Sequence, residues 1–107
     1  MRCGDLVTIV LQGAYGKPRP VLIIQSDLFA EHTSVTLLPI TSELRGTPLF
    51  RIPIKPSESN GLRKLSQVMV DKVQTVPREK LGQAFGHLAE EDLQVINWTL
   101  AVFLGVV

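Results

Sequence analysis

The chain has 107 residues, 45% hydrophobic and 20% charged, with a formal net charge of +1. That is one domain's worth of chain with enough apolar material for a core, and it excludes disorder along its length. A single cysteine, Cys3, excludes an internal disulfide and fits a reducing compartment.

No signal-peptide pattern opens the sequence. Its longest uncharged run, residues 93–107, is shorter than the ~20 apolar residues of a membrane span. A cytoplasmic protein is the expectation. The near-neutral charge hides an asymmetry. Residues 1–43 carry three basic groups against four acidic, residues 44–80 carry eight against three, and residues 81–107 carry none against three. A basic middle suits a polyanion or an acidic peptide, although scattered solvated charges give the same tally and are the commoner case.

Asp5 to Leu11 is rich in β-branched residues and predicts a strand. Gln12 to Pro18, with Gly13, Gly16 and Pro18, predicts a loop. Pro20 to Gln25 is a short continuous apolar run, the pattern of a strand buried on both faces. Ser34 to Thr41 predicts a third strand, where Pro39 signals a bulge or an edge. Phe50 to Ile54 is a short fourth strand, followed by a polar loop that ends in the turn pair Asn60-Gly61. Ser66 to Asp71 predicts a fifth strand, continued by Val73 to Val76 past a bend. Arg78 to Lys80 predicts a helical turn, and Leu81 to Leu88 a last strand.

Glu90 to Leu104 is the one helix. Its acidic first turn suits the positive end of the helix dipole, and Gly105 is placed to stop it. Leu93, Ile96, Leu100 and Phe103 recur at spacings of three and four and predict one buried stripe. Val95, Trp98 and Val102 fall off that stripe and call for a second covering surface, either a curled sheet or another subunit. Short strands with turn signals between them, then one helix, predict a compact antiparallel barrel.

Several chemistries find no support. His32 and His87 lack metal-ligand spacing, Cys3 stands alone, and Glu90 to Asp92 are more simply dipole partners than cation ligands. No cofactor or metal site is expected. No phosphate-binding glycine loop and no nucleophile elbow occurs. What remains are polar groups at strand ends: Arg19, Thr41 with Ser42, and Asp71. Each alone is more often an ion pair, a turn former or a backbone acceptor than a functional group.

Three blocks change that weighting: Gly4-Asp5-Leu6-Val7 with Gly16-Lys17-Pro18-Arg19-Pro20-Val21-Leu22-Ile23-Ile24-Gln25; Leu38-Pro39-Ile40-Thr41-Ser42; and Asn60 to Asp71 running into Gln74-Thr75-Val76. In order and spacing they resemble the MazF/PemK/Kid toxins over nearly the whole chain. The resemblance implies a mainly β fold, an SH3-like β-barrel of the CcdB/PemK/MazF type with a C-terminal α-helix, in a single domain of residues 1–107 that acts as a homodimer. It implies a sequence-selective, metal-independent endoribonuclease that cleaves single-stranded RNA. The substrate's own 2′-OH would attack the adjacent phosphate and leave a 2′,3′-cyclic phosphate.

By the same resemblance Arg19 stabilises the charged phosphorane, Thr41 hydrogen-bonds the phosphate, and Asp71 is the general base. Lys17, Ser42, Arg63, Lys64, Ser66 and Gln67 would line the RNA. Tyr15 is a base-stacking candidate; Phe50 reads more readily as core, and Trp98 as packing or interface. One position departs from the pattern. Met69 stands where some relatives carry an arginine proposed as the general acid. Arg19, Lys17, Arg63 and Lys64 are the alternatives for that role. The implied partner is an antitoxin with an acidic, disordered tail. The competing reading is a CcdB-like toxin that poisons DNA gyrase by binding; it suits the apolar C-terminal end but gives Arg19 and Thr41 no task.

Overall fold

The computed structural model describes residues 1–10, 17–46 and 49–107. Seven antiparallel strands and one helix make up the fold: β1 (Asp5–Ile9), β2 (Arg19–Ile23), β3 (Ser34–Thr41), β4 (Arg51–Ile54), β5 (Ser66–Met69), β6 (Gln74–Pro77), β7 (Leu81–His87) and α1 (Glu90–Leu104). The strands form one sheet in the order β4-β5-β3-β2-β1-β7, with β6 added to β3. The sheet curls in the SH3-like manner. Among the described residues no ladder joins β7 to β4 or β6, so the curl is not closed by strand pairing.

Both faces of the central strands are buried, as the continuous apolar runs require. Leu6, Leu22, Leu38, Ile40, Val68 and Ile54 pack on one face with Leu88, Leu93 and Ile96. Val7, Ile9, Val21, Ile23, Val35 and Leu37 pack on the other, with Val76 and Leu81 at the margin. Alternate residues of one strand therefore serve two cores.

Strand β3 pairs with three neighbours. On one side β2 accompanies it; on the other, β6 pairs with Ser34 to Leu37 and β5 with Ile40 and Thr41. Pro39 lies between those two ladders and pairs with Val21. Its missing N–H falls where the neighbour changes, which is how a proline sits in a central strand. The expectation of an edge or bulge is corrected accordingly.

The fifth strand is shorter than its sequence predicts. It ends at Met69, and Val70–Lys72 turn into a 3-10 helix, so Asp71 leaves the ladder. The turn is fixed by the Val70 N–H, which donates to the Phe50 carbonyl at 2.9 Å. Helix α1 has the predicted bounds, and Gly105 caps it at φ 72°, ψ 27°, where a side chain would be strained. Its stripe is correct only in part. Leu93 and Ile96 are buried and Leu100 partly so, but Phe103 is 49% exposed. Val95, Trp98 and Val102 are also exposed. No helix among the described residues is long and apolar enough to cross a membrane.

Candidate active site

The ladder registers bring three residues of the predicted site into line. Val21 faces Pro39 at the last paired position of β2 and β3, and Arg19 and Thr41 lie two residues further along, on the same side of their strands as Val21 and Pro39. Thr41 in turn faces Gln67 across β3 and β5, and Gln67 faces Pro53 across β5 and β4. Residues directly opposite in an antiparallel pair project to the same side. Arg19, Thr41 and Gln67 thus form a row across three strands, and the row opens to solvent: Arg19 is exposed, Thr41 and Gln67 partly buried.

Local hydrogen bonds shape the floor of this row. Thr41 Oγ1 accepts from the Glu43 N–H at 3.0 Å, folding the chain back after β3. The Gln67 side-chain amide clasps the loop that follows: it accepts from the Arg45 N–H at 3.0 Å and donates to the Arg45 carbonyl at 2.8 Å. Gln67 therefore acts on the loop carrying the exposed Ser42, with both ends of its amide engaged. The exposed Arg45–Glu43 ion pair at 3.2 Å adds little stability.

Asp71 enters from the 3-10 turn beyond β5, two residues past Met69. It is partly buried, and its Oδ1 has no hydrogen-bond partner among the described residues. Of the remaining predicted residues, Arg63 and Ser66 sit elsewhere. Arg63, Thr8, Pro18, Pro20, Leu62 and Phe85 line a separate groove of about 600 Å³. Thr8 and Pro20 face each other on the opposite side of the sheet from Ile9 and Arg19. Lys17 and Lys64 are exposed. Ser66 is buried beside the core position Val68 and donates to the Lys64 carbonyl at 2.9 Å, so it faces away from the row. Tyr15 lies outside the described residues. Phe50 is partly buried against the core, as expected.

Nucleophilic cysteine chemistry has no footing here. Burial pushes the Cys3 thiol above its ordinary value, and the charges of Asp27, Glu90 and Asp5 push it further, so it stays protonated. Among the described residues no three His, Cys, Asp or Glu side chains gather as a cation site. One exposed side of the sheet carries a cation at Arg19 and a hydroxyl at Thr41, and the turn beyond β5 carries a carboxylate at Asp71, residue types that suit a phosphodiester. They offer charge neutralisation, a hydrogen bond and a proton acceptor.

Known proteins show the same arrangement of sequence and fold. The profile of PemK-like, MazF-like toxins of type II toxin–antitoxin systems matches residues 2–104. A probable endoribonuclease MazF of Mycolicibacterium smegmatis is 50% identical over 107 residues, covering 99% of this chain and 98% of that protein. Among solved structures, the Mycobacterium tuberculosis toxin MazF-mt6 superposes with a TM-score of 0.80 at 29% identity, over 94% of this chain and 96% of the other. A mycobacterial endoribonuclease solved with its cognate antitoxin superposes with a TM-score of 0.82 over 100% and 97% of the two chains; at 22% identity it speaks for the fold alone.

Proposed function

Because this chain belongs to the PemK-like, MazF-like toxins of type II toxin–antitoxin systems, we propose that it cuts single-stranded RNA at the row formed by Arg19 and Thr41. The activity class is that of an endoribonuclease toxin. The observation that carries the proposed site is the alignment of Arg19, Thr41 and Gln67 across β2, β3 and β5, with Asp71 at the adjoining turn.

The proposed chemistry follows from what this row contains. The ribose 2′-oxygen forms a bond to the adjacent phosphorus as the bond to the 5′-oxygen breaks. The 2′-OH proton passes to the Asp71 carboxylate, and the leaving 5′-oxygen takes up a proton from solvent water. The products are a 2′,3′-cyclic phosphate and a 5′-hydroxyl. The nucleophile is already part of the substrate and held beside its target, so the step needs no metal-generated hydroxide. Arg19 offers a planar fork to the phosphorane oxygens as charge builds, and Thr41 offers a hydroxyl. Dependence on the 2′-OH spares DNA.

Two partners belong to the proposal. The exposed Val95, Trp98, Val102 and Phe103 on α1 form a homodimer face. The basic segment 44–80 receives the acidic, poorly ordered tail of an antitoxin, in keeping with the family's place in toxin–antitoxin pairs.

The test is cleavage of a long, weakly structured RNA and its DNA analogue in EDTA, with end-group analysis. Discrete RNA cuts ending in cyclic phosphate, absent on DNA, are expected. Folded Arg19→Ala should lose roughly a hundredfold to a thousandfold in rate, and Thr41→Ala roughly tenfold. Well-folded wild type that cuts none of several RNAs would remove the reading.

A further inference from the structure

Two side-chain polar atoms among the described residues are buried without a hydrogen-bond partner: Asp71 Oδ1 and Arg51 Nε. Buried donors and acceptors left unmet cost free energy, so each such group calls for an explanation. These two are neighbours in the fold. Arg51 opens β4 and faces Met69 on β5, while Asp71 lies two residues past Met69. The Val70 N–H to Phe50 carbonyl bond joins the segments between them.

Arg51 also shares the face of the row described above. Gln67 faces both Thr41 and Pro53, and Met69 faces Arg51. Residues two apart on a strand project to the same side, so Arg51, Pro53, Met69, Gln67 and Thr41 all do so. Two of the three other arginines of the basic middle are engaged elsewhere, and the third, Arg63, lines the separate groove. Arg45 pairs with Glu43, and Arg78 donates to the carbonyls of Ala30 at 2.6 Å and His32 at 2.8 Å. Arg51 has no such partner among the described residues.

We propose that Arg51 is a substrate-binding residue that holds the phosphodiester next to the scissile one. This rests on the endoribonuclease reading. Arg51 lies two strands from Thr41 and one pleat along, which spacings of ~4.8 Å between strands and ~3.4 Å per residue turn into about 12 Å between Cα atoms. An arginine arm covers roughly half of that distance. Its guanidinium therefore reaches the neighbouring phosphate of the strand that crosses Thr41. Phosphate oxygens there accept from the terminal N–H groups of Arg51, whose guanidinium makes no hydrogen bond or ion pair among the described residues.

The experiment separates binding from cleavage. Affinity is measured against salt with a 2′-O-methyl single strand of mixed sequence, which no 2′-OH attack can cut, and cleavage is followed on the matching RNA. Arg51→Met, which matches the apolar Met69 beside it, should bind roughly tenfold more weakly. Its log affinity against log salt should be shallower by about 0.7, the contribution of one phosphate on a single strand. Arg51→Lys should restore the slope, and the cleavage defect should appear in KM more than in kcat. If Arg51→Met melts early, Arg51→Gln is read the same way. A folded variant with wild-type affinity and salt slope overturns the proposal. Binding without cleavage by the wild type sinks the nuclease reading but still lets the slope decide on Arg51. No binding by the wild type overturns both.

Discussion

Asp5 is nearly buried at the start of β1, where its Oδ1 meets His87 Nδ1 at 2.8 Å and its Oδ2 accepts from the Arg2 N–H at 2.8 Å. Burial alone would raise this carboxyl. The hydrogen bonds from His87 and Arg2, together with their charges, outweigh burial and hold it below its ordinary value of 3.8. A folded-state value below the unfolded one contributes stability that is complete above pH 3.8 and is lost as the pH falls through the depressed folded value. Asp5→Asn should therefore lower stability at neutral pH by about 1–2 kcal/mol, and thermal melts should show the gap between variant and wild type closing below about pH 4. A gap that persists in strong acid would assign the loss to packing instead. At this scale the sequence is uneven in what it discloses. Arg19 and Thr41 are legible because each belongs to a distinctive block, Arg-Pro-Val-Leu-Ile and Pro-Ile-Thr-Ser. Arg51 is not, because its relation to Met69 is a cross-strand pairing that no local pattern records.

The elements themselves are mostly written in periodicity. Strand β3 and helix α1 have the bounds their patterns predict, since an eight-residue β-branched run and a capped, acidic-first helix are self-sufficient signals. Two misreadings have tertiary causes. Asp71 leaves β5 because Phe50 captures the Val70 N–H, and Phe103 is exposed because nothing in the chain packs over it, which periodicity alone does not record. Gly86 in β7 illustrates a third kind of information. A Cβ added there would run into the Asn60 carbonyl group and come within 2.9 Å of Asn60 Cα. The Asn60-Gly61 turn is docked on β7 at that point, through the His87 N–H to Ser59 carbonyl bond at 2.9 Å. The sequence marks the glycine as permitting close approach; only the fold says to what. Gly86→Ala should cost about 2 kcal/mol or more, a drop in Tm of roughly 8 °C or more for a domain of this size. A wild-type melt would mean that the turn shifts freely and does not brace β7.

For the whole molecule, the apolar residues on α1 outnumber what one chain can cover. Trp98 is 65% exposed, and Val95, Val102, Phe103 and Leu104 are each about half exposed. Patches of this kind mark interfaces. Trp98→Glu should convert the proposed dimer to a monomer in sedimentation at micromolar concentration while leaving the far-ultraviolet spectrum intact. Wild type that sediments as a monomer would remove the dimer from the proposal.

Pro39 has a consequence for how the groove measures its substrate. It marks the seam at which β3 exchanges β6 for β5, so the site is assembled from two half-sheets. Arg19 rides on one half, while Thr41, Asp71 and Arg51 are carried by the other. The proposed groove therefore has one wall on the β2 side of the seam and the other on the β5 side, so its width is set by the angle at which the ladders meet along β3.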